Sequence, residues 1–233
     1  MSVHELRPDV VQAQPFEESN DRSEFLRKTY LHLLGAIFAF AALEWAFFQT
    51  PFAAPFAIWM LETSWLAVLG GFIIVSWVAT SVVHRVESRA AQYAALAAFV
   101  VAEAIIFIPM LFIAVAVGEG ILQSAVLVTL SAFVALSAVA IYSRRDFSFL
   151  RGLKLWGGMI ALGTLVMGSV IGFHLGTWFS MAMIGLAGAS ILHDTSKIVN
   201  DYPEDRYIAA ALQLFASIAL MLWYVLRLFL ARR

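Results

Sequence analysis

The chain has 233 residues, of which 62% are apolar and 13% are charged, and its mean hydropathy is +0.85. Ordinary soluble domains are about 45–50% apolar and about 25% charged, so this composition excludes a water-soluble enzyme or nucleic-acid-binding protein. The net charge of −1 leaves no basic surface for nucleic acid, and the lack of cysteine excludes disulfides and thiolate metal sites. The chain is therefore predicted to be a multi-pass membrane protein.

The amino-terminal segment differs in composition from the rest of the chain. Residues 1–24 hold six of the sixteen acidic residues, together with Pro8 and Pro15. They do not resemble a cleavable secretory signal, because the first apolar run begins only near Tyr30. We predict a flexible polar cytosolic tail over residues 1–24 and one transmembrane domain over residues 25–233.

Seven stretches are long and apolar enough to be predicted as helices that cross a bilayer. A spanning helix needs about 20 mostly apolar residues, and it satisfies its backbone hydrogen bonds internally. The alternating pattern of a membrane β-barrel is absent from the sequence. The stretches are residues 29–49, 65–83, 91–117, 121–141, 154–173, 177–198 and 207–230. The sequence thus predicts an all-α integral membrane protein, a bundle of seven transmembrane helices.

The cations predict the orientation of this bundle. Twelve of the fifteen precede span one or lie between spans two and three, four and five, and six and seven. Because cytoplasmic loops are enriched in Lys and Arg, the amino terminus is predicted to be cytosolic. Short loops and the lack of a retention signal favour a bacterial inner membrane. The remaining three cations lie at the end of span seven or after it, which leaves open a last helix that does not cross completely.

Acidic residues inside the predicted spans are costly, so each is a functional hypothesis. Asp194 lies about 7 Å inside the cytosolic end of span six, at ~1.5 Å per residue. It is either a gate or cation-binding carboxylate, or a water-facing acid paired with Lys197. Glu103 lies near the middle of span three, before Pro109, which frees a backbone carbonyl and predicts an irregular helix. This arrangement is typical of transport sites, and the alternative is a protonated structural glutamate. Glu44 is predicted to be an interfacial acid.

The last span carries a narrow polar stripe of Gln213, Ser217 and Tyr224 at helical spacing. Such residues either form hydrogen bonds between helices or line a hydrated path. His193 is adjacent to Asp194 in the sequence and is therefore predicted to point in another direction. The histidines lack the spacing of a metal-binding motif, so no cofactor is predicted.

Four segments resemble one family of membrane proteins. FLRKTYLHLLGAIFAF, at the start of span one, is similar to the first helix of the Bax inhibitor-1 family, also called transmembrane Bax-inhibitor-motif proteins. SRRDFSFLRGL at 143–153 resembles the family's loop between helices four and five, and ILHDTSKIV at 191–199 resembles the end of its sixth helix. The segment at 210–229 resembles its last helix. The chain thus resembles a divergent, bacterial-type member from about residue 25 to its end.

The resemblance implies a seven-helix bundle with the last helix near its centre. It also implies a cation leak, chiefly for calcium, that is gated by pH through two aspartates sharing a proton. Asp194 matches the first of these aspartates, but Ser217 stands where the second is expected. The family pattern also implies an arginine at the inner end of helix two. Arg85 is the nearest candidate, although the ungapped alignment falls on Val86.

The predicted function is a pH-sensitive calcium leak, with the lipid bilayer and calcium or other cations as partners and with no catalytic residue. The predicted gate and ion pathway comprise Asp194, Ser217, Gln213, Glu103 and Arg85, with Asp194 as a transient calcium ligand. The hydroxyl of Ser217 carries no charge to share, so the gate formed by an aspartate pair is predicted to be altered. The alternative is a non-conducting regulatory protein that binds another membrane protein, such as a protease.

Overall fold

The computed structural model describes residues 9–63, 65–118, 120–143, 145–172 and 175–232, with side chains from residue 21 onward except for residues 65 and 66. These residues form helices and short loops and contain no strand, which confirms the predicted all-α class. The helices are α1 (Asp9–Phe48), α2 (Ala53–Glu62), α3 (Trp65–Arg85), α4 (Arg89–Val117), α5 (Ile121–Tyr142), α6 (Leu150–Ile171), α7 (Thr177–Asn200) and α8 (Tyr207–Leu230). A single 3₁₀ turn, Glu204–Arg206, precedes α8.

Six of the described helices are long and apolar enough to cross a membrane, namely α1, α3, α4, α5, α6 and α8. The 24 residues of α7 are sufficient in length. However, Ser180, Ser190, His193 and Asp194 lower the mean hydropathy of α7, and it is not among the six. The chain is thus a multi-pass membrane protein, and the count of seven crossings stays a prediction.

The last helix, α8, is the most buried of these six. Of its most apolar 18-residue stretch, 72% lies inside the protein, against 11–50% for the other five. It packs against α1, α3, α4, α5 and α7. Residues 209–211 are buried alanines, whose small side chains allow neighbouring helices to approach closely. Further along, Phe215 and Trp223 contact the rings of Phe99 and Phe107 on α4, with centroid separations of 6.2 and 5.2 Å.

The loops between α3 and α4 and between α7 and α8 meet at one end of the bundle. Arg206 donates hydrogen bonds of 3.3 and 3.4 Å to two carbonyls at the end of α3, and Arg89 donates to the carbonyl of Asp205. We call the end of the bundle that holds these two loops, with Arg89 and Arg206, the cation-rich end. At the opposite end of α8, Arg227 donates to the carbonyl of Leu175 at 2.7 Å.

Two elements bear on the sequence-based expectations. Helix α1 begins at Asp9, within the predicted tail, and Arg22 donates hydrogen bonds to carbonyls at the end of α7. The boundary between tail and bundle at residue 24 stays a prediction. Helix α4 continues through Pro109 to Val117, so the proline does not end the helix, and a local irregularity there stays a prediction. The hydrogen bonds on either side of the proline are sufficient to maintain the helix across the single lost bond.

Candidate functional site

The carboxylate of Asp194 is fully buried and is held by side chains from three helices. Lys154 of α6 donates to both oxygens, at 2.7 and 2.8 Å. Gln213 and Ser217 of α8 donate at 2.6 and 3.0 Å, one to each oxygen. The Nδ1 atom of His193 lies 3.0 Å from Oδ1. A buried charge is tolerated only when it is paired and hydrogen-bonded, and Asp194 meets both requirements.

Helix geometry explains why these groups converge. Gln213 and Ser217 are four residues apart on α8 and therefore lie on one face, which is turned toward α7. Lys154 lies in the first turns of α6, where its long side chain extends along the bundle to Asp194. Because α7 packs against both α6 and α8, the carboxylate is surrounded by donors from both sides.

Two predicted features of this carboxylate are wrong. The sequence predicted Lys197 as its alternative ion-pair partner, but Lys154 occupies that position, and the ammonium of Lys197 lies 5.6 Å from the ring centroid of Tyr202. In the last turn of α7, Lys197 points toward the end of the helix. His193 was predicted to point away from Asp194, yet its imidazole reaches back to contact it.

The structure brings together some predicted site residues and separates others. Asp194, Gln213 and Ser217 form one hydrogen-bonded cluster, so these two residues of the polar stripe form hydrogen bonds between helices. Arg85 does not join this cluster. It is exposed at the end of α3 and has no hydrogen-bond or ion-pair partner among the residues described. Arg206 is the arginine that binds the backbone at this end of α3.

A cavity of about 1070 Å³ lies beside the Asp194 cluster, between α3, α4, α6, α7 and α8. Lys154, Gln213 and Ser217 line it, whereas Asp194 is completely buried behind them. Its lining continues to Tyr224 near the opposite end of α8. The three donors to Asp194 therefore separate the carboxylate from the cavity.

A second carboxylate, Glu103 of α4, lines the same cavity. It is 6% exposed and has no hydrogen-bond or ion-pair partner within the described residues. Glu44 of α1 is equally buried at 6%, rather than exposed, and both its oxygens lack a partner in the same part of the chain. Unlike Glu103, Glu44 does not line the cavity. The two glutamates thus differ in surroundings rather than in burial.

The cluster around Asp194 does not fit a resident metal ion. Within the part of the chain that the structure describes, no group of three or more His, Asp or Glu residues is placed to hold one. Calcium takes six to eight oxygen ligands, whereas the oxygens of Asp194 already accept hydrogen bonds from an ammonium, an amide and a hydroxyl.

The similarity of this chain to known proteins covers nearly all of the described bundle. The family model described as inhibitor of apoptosis-promoting Bax1 matches residues 22–233. The chain belongs to the Bax inhibitor-1 family. It is 28% identical to Bax inhibitor 1 of Schizosaccharomyces pombe over 203 aligned residues. The alignment covers 83% of this chain and 71% of the yeast protein.

The loop motif shared with the Bax inhibitor-1 family is an Asp-centred turn before α6. Asp146 accepts hydrogen bonds from the backbone N–H of Ser148 at 2.7 Å and from its hydroxyl at 2.9 Å. These bonds lower the pKa of the Asp146 carboxyl below its ordinary value. Asp146 therefore stays ionised near neutral pH and positions the start of α6, the helix that carries Lys154.

Lys154 is the member of the Asp194 cluster that was not predicted from the sequence. The sequence places it only among the cations that predict the orientation of this Bax inhibitor-1 family member. A usable signal existed, since Lys154 begins span five while Asp194 lies near the end of span six. Consecutive spans run in opposite directions, so these two positions lie at similar depth. Depth alone does not show that the side chains meet.

Proposed function

We propose that this chain is a pH-sensitive cation leak of the Bax inhibitor-1 type, with calcium as the ion to test. The proposed topology has seven spans, the last of them central, with the amino terminus and the cation-rich end in the cytosol. The observation that carries the proposal is the placement of Asp194. Its buried carboxylate lies behind the side chains of Lys154, Gln213 and Ser217, which line a large cavity between the helices.

In this proposal Lys154 is a tethered counter-ion that keeps the path closed. The family pattern leads us to expect a second aspartate where Ser217 stands, and two neighbouring carboxylates share a proton. Ser217 supplies a hydroxyl without charge, so the ammonium of Lys154 balances Asp194 instead of a shared proton. A cation that reaches Asp194 has to displace this ammonium. The ion pair supports a closed resting state.

The proposed pH dependence arises in the cluster of charged and polar groups around Asp194. The titratable or charged groups that face Asp194 are Lys154 from α6, His193 from α7 and Tyr202 after α7, while α8 contributes only the neutral Gln213 and Ser217. A change in the charge balance of this cluster alters the hold of the carboxylate on Lys154, which would couple the path to pH.

The same ion pair also favours a second candidate function. With its charge balanced by Lys154 and both oxygens hydrogen-bonded, Asp194 is satisfied within the protein. A carboxylate in this state gains little from binding a permeating ion, because its charge and both oxygens already have partners. The second candidate is a non-conducting regulatory protein that binds another membrane protein.

Calcium flux distinguishes the two candidates. The purified full chain is reconstituted into liposomes that contain a calcium indicator, and flux is measured at pH 6 and pH 8. A leak gives flux that differs between the two pH values. We expect Asp194→Asn to abolish that difference and Glu103→Gln to change the flux, since both residues belong to the proposed path.

Lys154→Met is the most informative variant. Removal of the tethered ammonium frees Asp194 for a mobile cation, so we expect flux to rise several-fold. Lys28→Met is the matched control, because Lys28 forms its ion pair with Glu24 at the protein surface. Flux from every variant equal to that of empty liposomes at both pH values would reject the leak and favour the regulatory protein.

A further inference from the structure

The cavity is much larger than an inorganic ion requires. Its volume of about 1070 Å³ corresponds to the upper end of sites for organic molecules, which run to roughly 1,000 Å³. Phe72, Phe99, Phe107 and Trp223 line it. Phe72 and Phe99 have centroids 6.1 Å apart, and those of Phe107 and Trp223 are 5.2 Å apart. The cavity therefore offers an apolar, aromatic surface to a molecule of organic size.

Glu103 places one carboxyl group without a partner in this apolar surface. It is 94% buried, lines the cavity, and has no hydrogen-bond or ion-pair partner in the described part of the chain. An ionised carboxylate in apolar surroundings is costly unless a positive charge accompanies it. Within the described bundle no residue supplies that charge, so a cationic ligand beside Glu103 would offset the cost of ionising it.

The cations that line the cavity are engaged elsewhere. Lys154 is paired with Asp194. Lys197 lies over the ring of Tyr202 at the cation-rich end, and Arg227 binds the carbonyl of Leu175 at the opposite end. The middle of the cavity, where Glu103 and the aromatic rings lie, therefore favours positive charge.

We propose that this cavity binds a lipophilic organic cation, with the positive charge beside Glu103 and the apolar groups against the aromatic wall. Burial of apolar groups contributes most of the affinity, and aromatic faces attract cations within about 6 Å. The inference goes beyond the leak, because binding requires only Glu103 and the rings and does not require ions to cross.

The same chemistry disfavours other occupants of the centre of the cavity. A calcium ion bound stably here, rather than passing through, would need six to eight oxygen ligands, and a single carboxylate among aromatic rings supplies two. An anionic lipid would bring a second negative charge beside Glu103. A neutral lipid chain would fit the apolar wall but would leave Glu103 without a counter-charge.

Equilibrium dialysis of the purified full chain in detergent, with radiolabelled tetraphenylphosphonium as probe, tests the proposal. We expect saturable binding of one cation per chain. Tetraphenylborate has the same shape and the opposite charge, and we expect it to bind at least about tenfold more weakly, since charge pairing in a desolvated site dominates discrimination. This comparison uses the native chain and requires no variant to fold.

Glu103→Gln is the variant that removes the charge and keeps the shape. We expect it to weaken tetraphenylphosphonium binding by at least about tenfold. Glu44→Gln is the matched control, because Glu44 is equally buried at 6% but lies outside the cavity, and we expect its binding to equal that of the native chain.

Three results would overturn this inference: no saturable binding, equal binding of the two probes, or equal loss in both glutamine variants. Preferred binding of tetraphenylborate would instead indicate an anionic amphiphile held by Lys197 or Arg227. Calcium flux remains a separate measurement, so binding without flux would reject the leak alone, and flux without binding would reject this inference alone.

Discussion

At the scale of single residues, the ion pair between Asp194 and Lys154 is the feature with the greatest energetic consequence. Asp194 has no exposed side-chain surface, whereas the side chain of Lys154 is 35% exposed. Removal of one partner from a buried pair leaves an uncompensated charge and costs about 3–5 kcal/mol. Because Lys154 reaches the cavity, the lower end of that range applies here.

We expect Lys154→Met to lower the free energy of unfolding by about 3 kcal/mol, because it leaves the Asp194 charge unpaired. The double variant Lys154→Met/Asp194→Asn removes both charges, so it is expected to regain most of that loss. Chemical unfolding in detergent of the native chain, Lys154→Met, Asp194→Asn and the double variant measures the coupling free energy of the pair. Additive losses in the double variant would contradict the contact.

At the scale of elements, the first and seventh helices are joined at the cation-rich end by Arg22. Its guanidinium donates to the carbonyls of Ile198, Val199 and Tyr202, at 2.6, 3.0 and 2.5 Å. The last carbonyls of a helix have no partner within that helix, and a positive charge there also interacts favourably with the negative end of the helix dipole. Arg22 thus connects α1 to the end of α7, a few residues beyond Asp194.

Arg22→Ala is expected to lower the free energy of unfolding by about 2 kcal/mol, the contribution of charged hydrogen bonds, and to speed amide exchange at residues 198–202. Arg22→Lys should retain only part of the lost stability, because an ammonium does not reproduce the planar guanidinium and its several donors. Arg27→Ala, at an exposed position on the same helix, is the control. Equal exchange rates in all four proteins would show that the contact does not stabilise the end of α7.

At the scale of the whole molecule, the two ends of the bundle differ in the cations and loops that they carry. The loops after α3 and α7 lie together at the cation-rich end, whereas Arg227 lies at the other end of α8, beside the loop after α6. In a membrane, such an asymmetry fixes which end faces the cytoplasm. The position of the carboxyl terminus then reports whether the number of crossings is odd or even.

The chain contains no cysteine, so a single introduced thiol reports its own location. We expect Thr50→Cys to react with a membrane-impermeant maleimide in intact bacterial cells, and Glu87→Cys to react only after permeabilisation, because of the positive-inside rule. Arg232→Cys should react from outside if there are seven crossings. Protection of Arg232→Cys in intact cells would indicate six, and reversed labelling of the first two positions would contradict the orientation.

The sequence predicted the kind of element at each position better than the contacts between elements. The helix positions follow from long apolar runs, and the polar stripe placed Gln213 and Ser217 on one face, where the structure has them donate hydrogen bonds to Asp194. The stripe was visible because residues four apart share a helix face. The ion-pair partner of Asp194 was wrong because helical spacing favours a neighbour on the same helix, Lys197, and does not describe how α6 packs against α7.

The sequence by itself determined that this chain is a helical, multi-pass membrane protein, since apolar composition and the need to satisfy the backbone in lipid leave few other solutions. Four motifs also determined its resemblance to the Bax inhibitor-1 family. Only the tertiary structure decided that Lys154 neutralises Asp194 and that Glu103 faces a cavity while Glu44 does not. The physical reason is that charge pairing and cavity shape depend on distances of a few ångströms between helices.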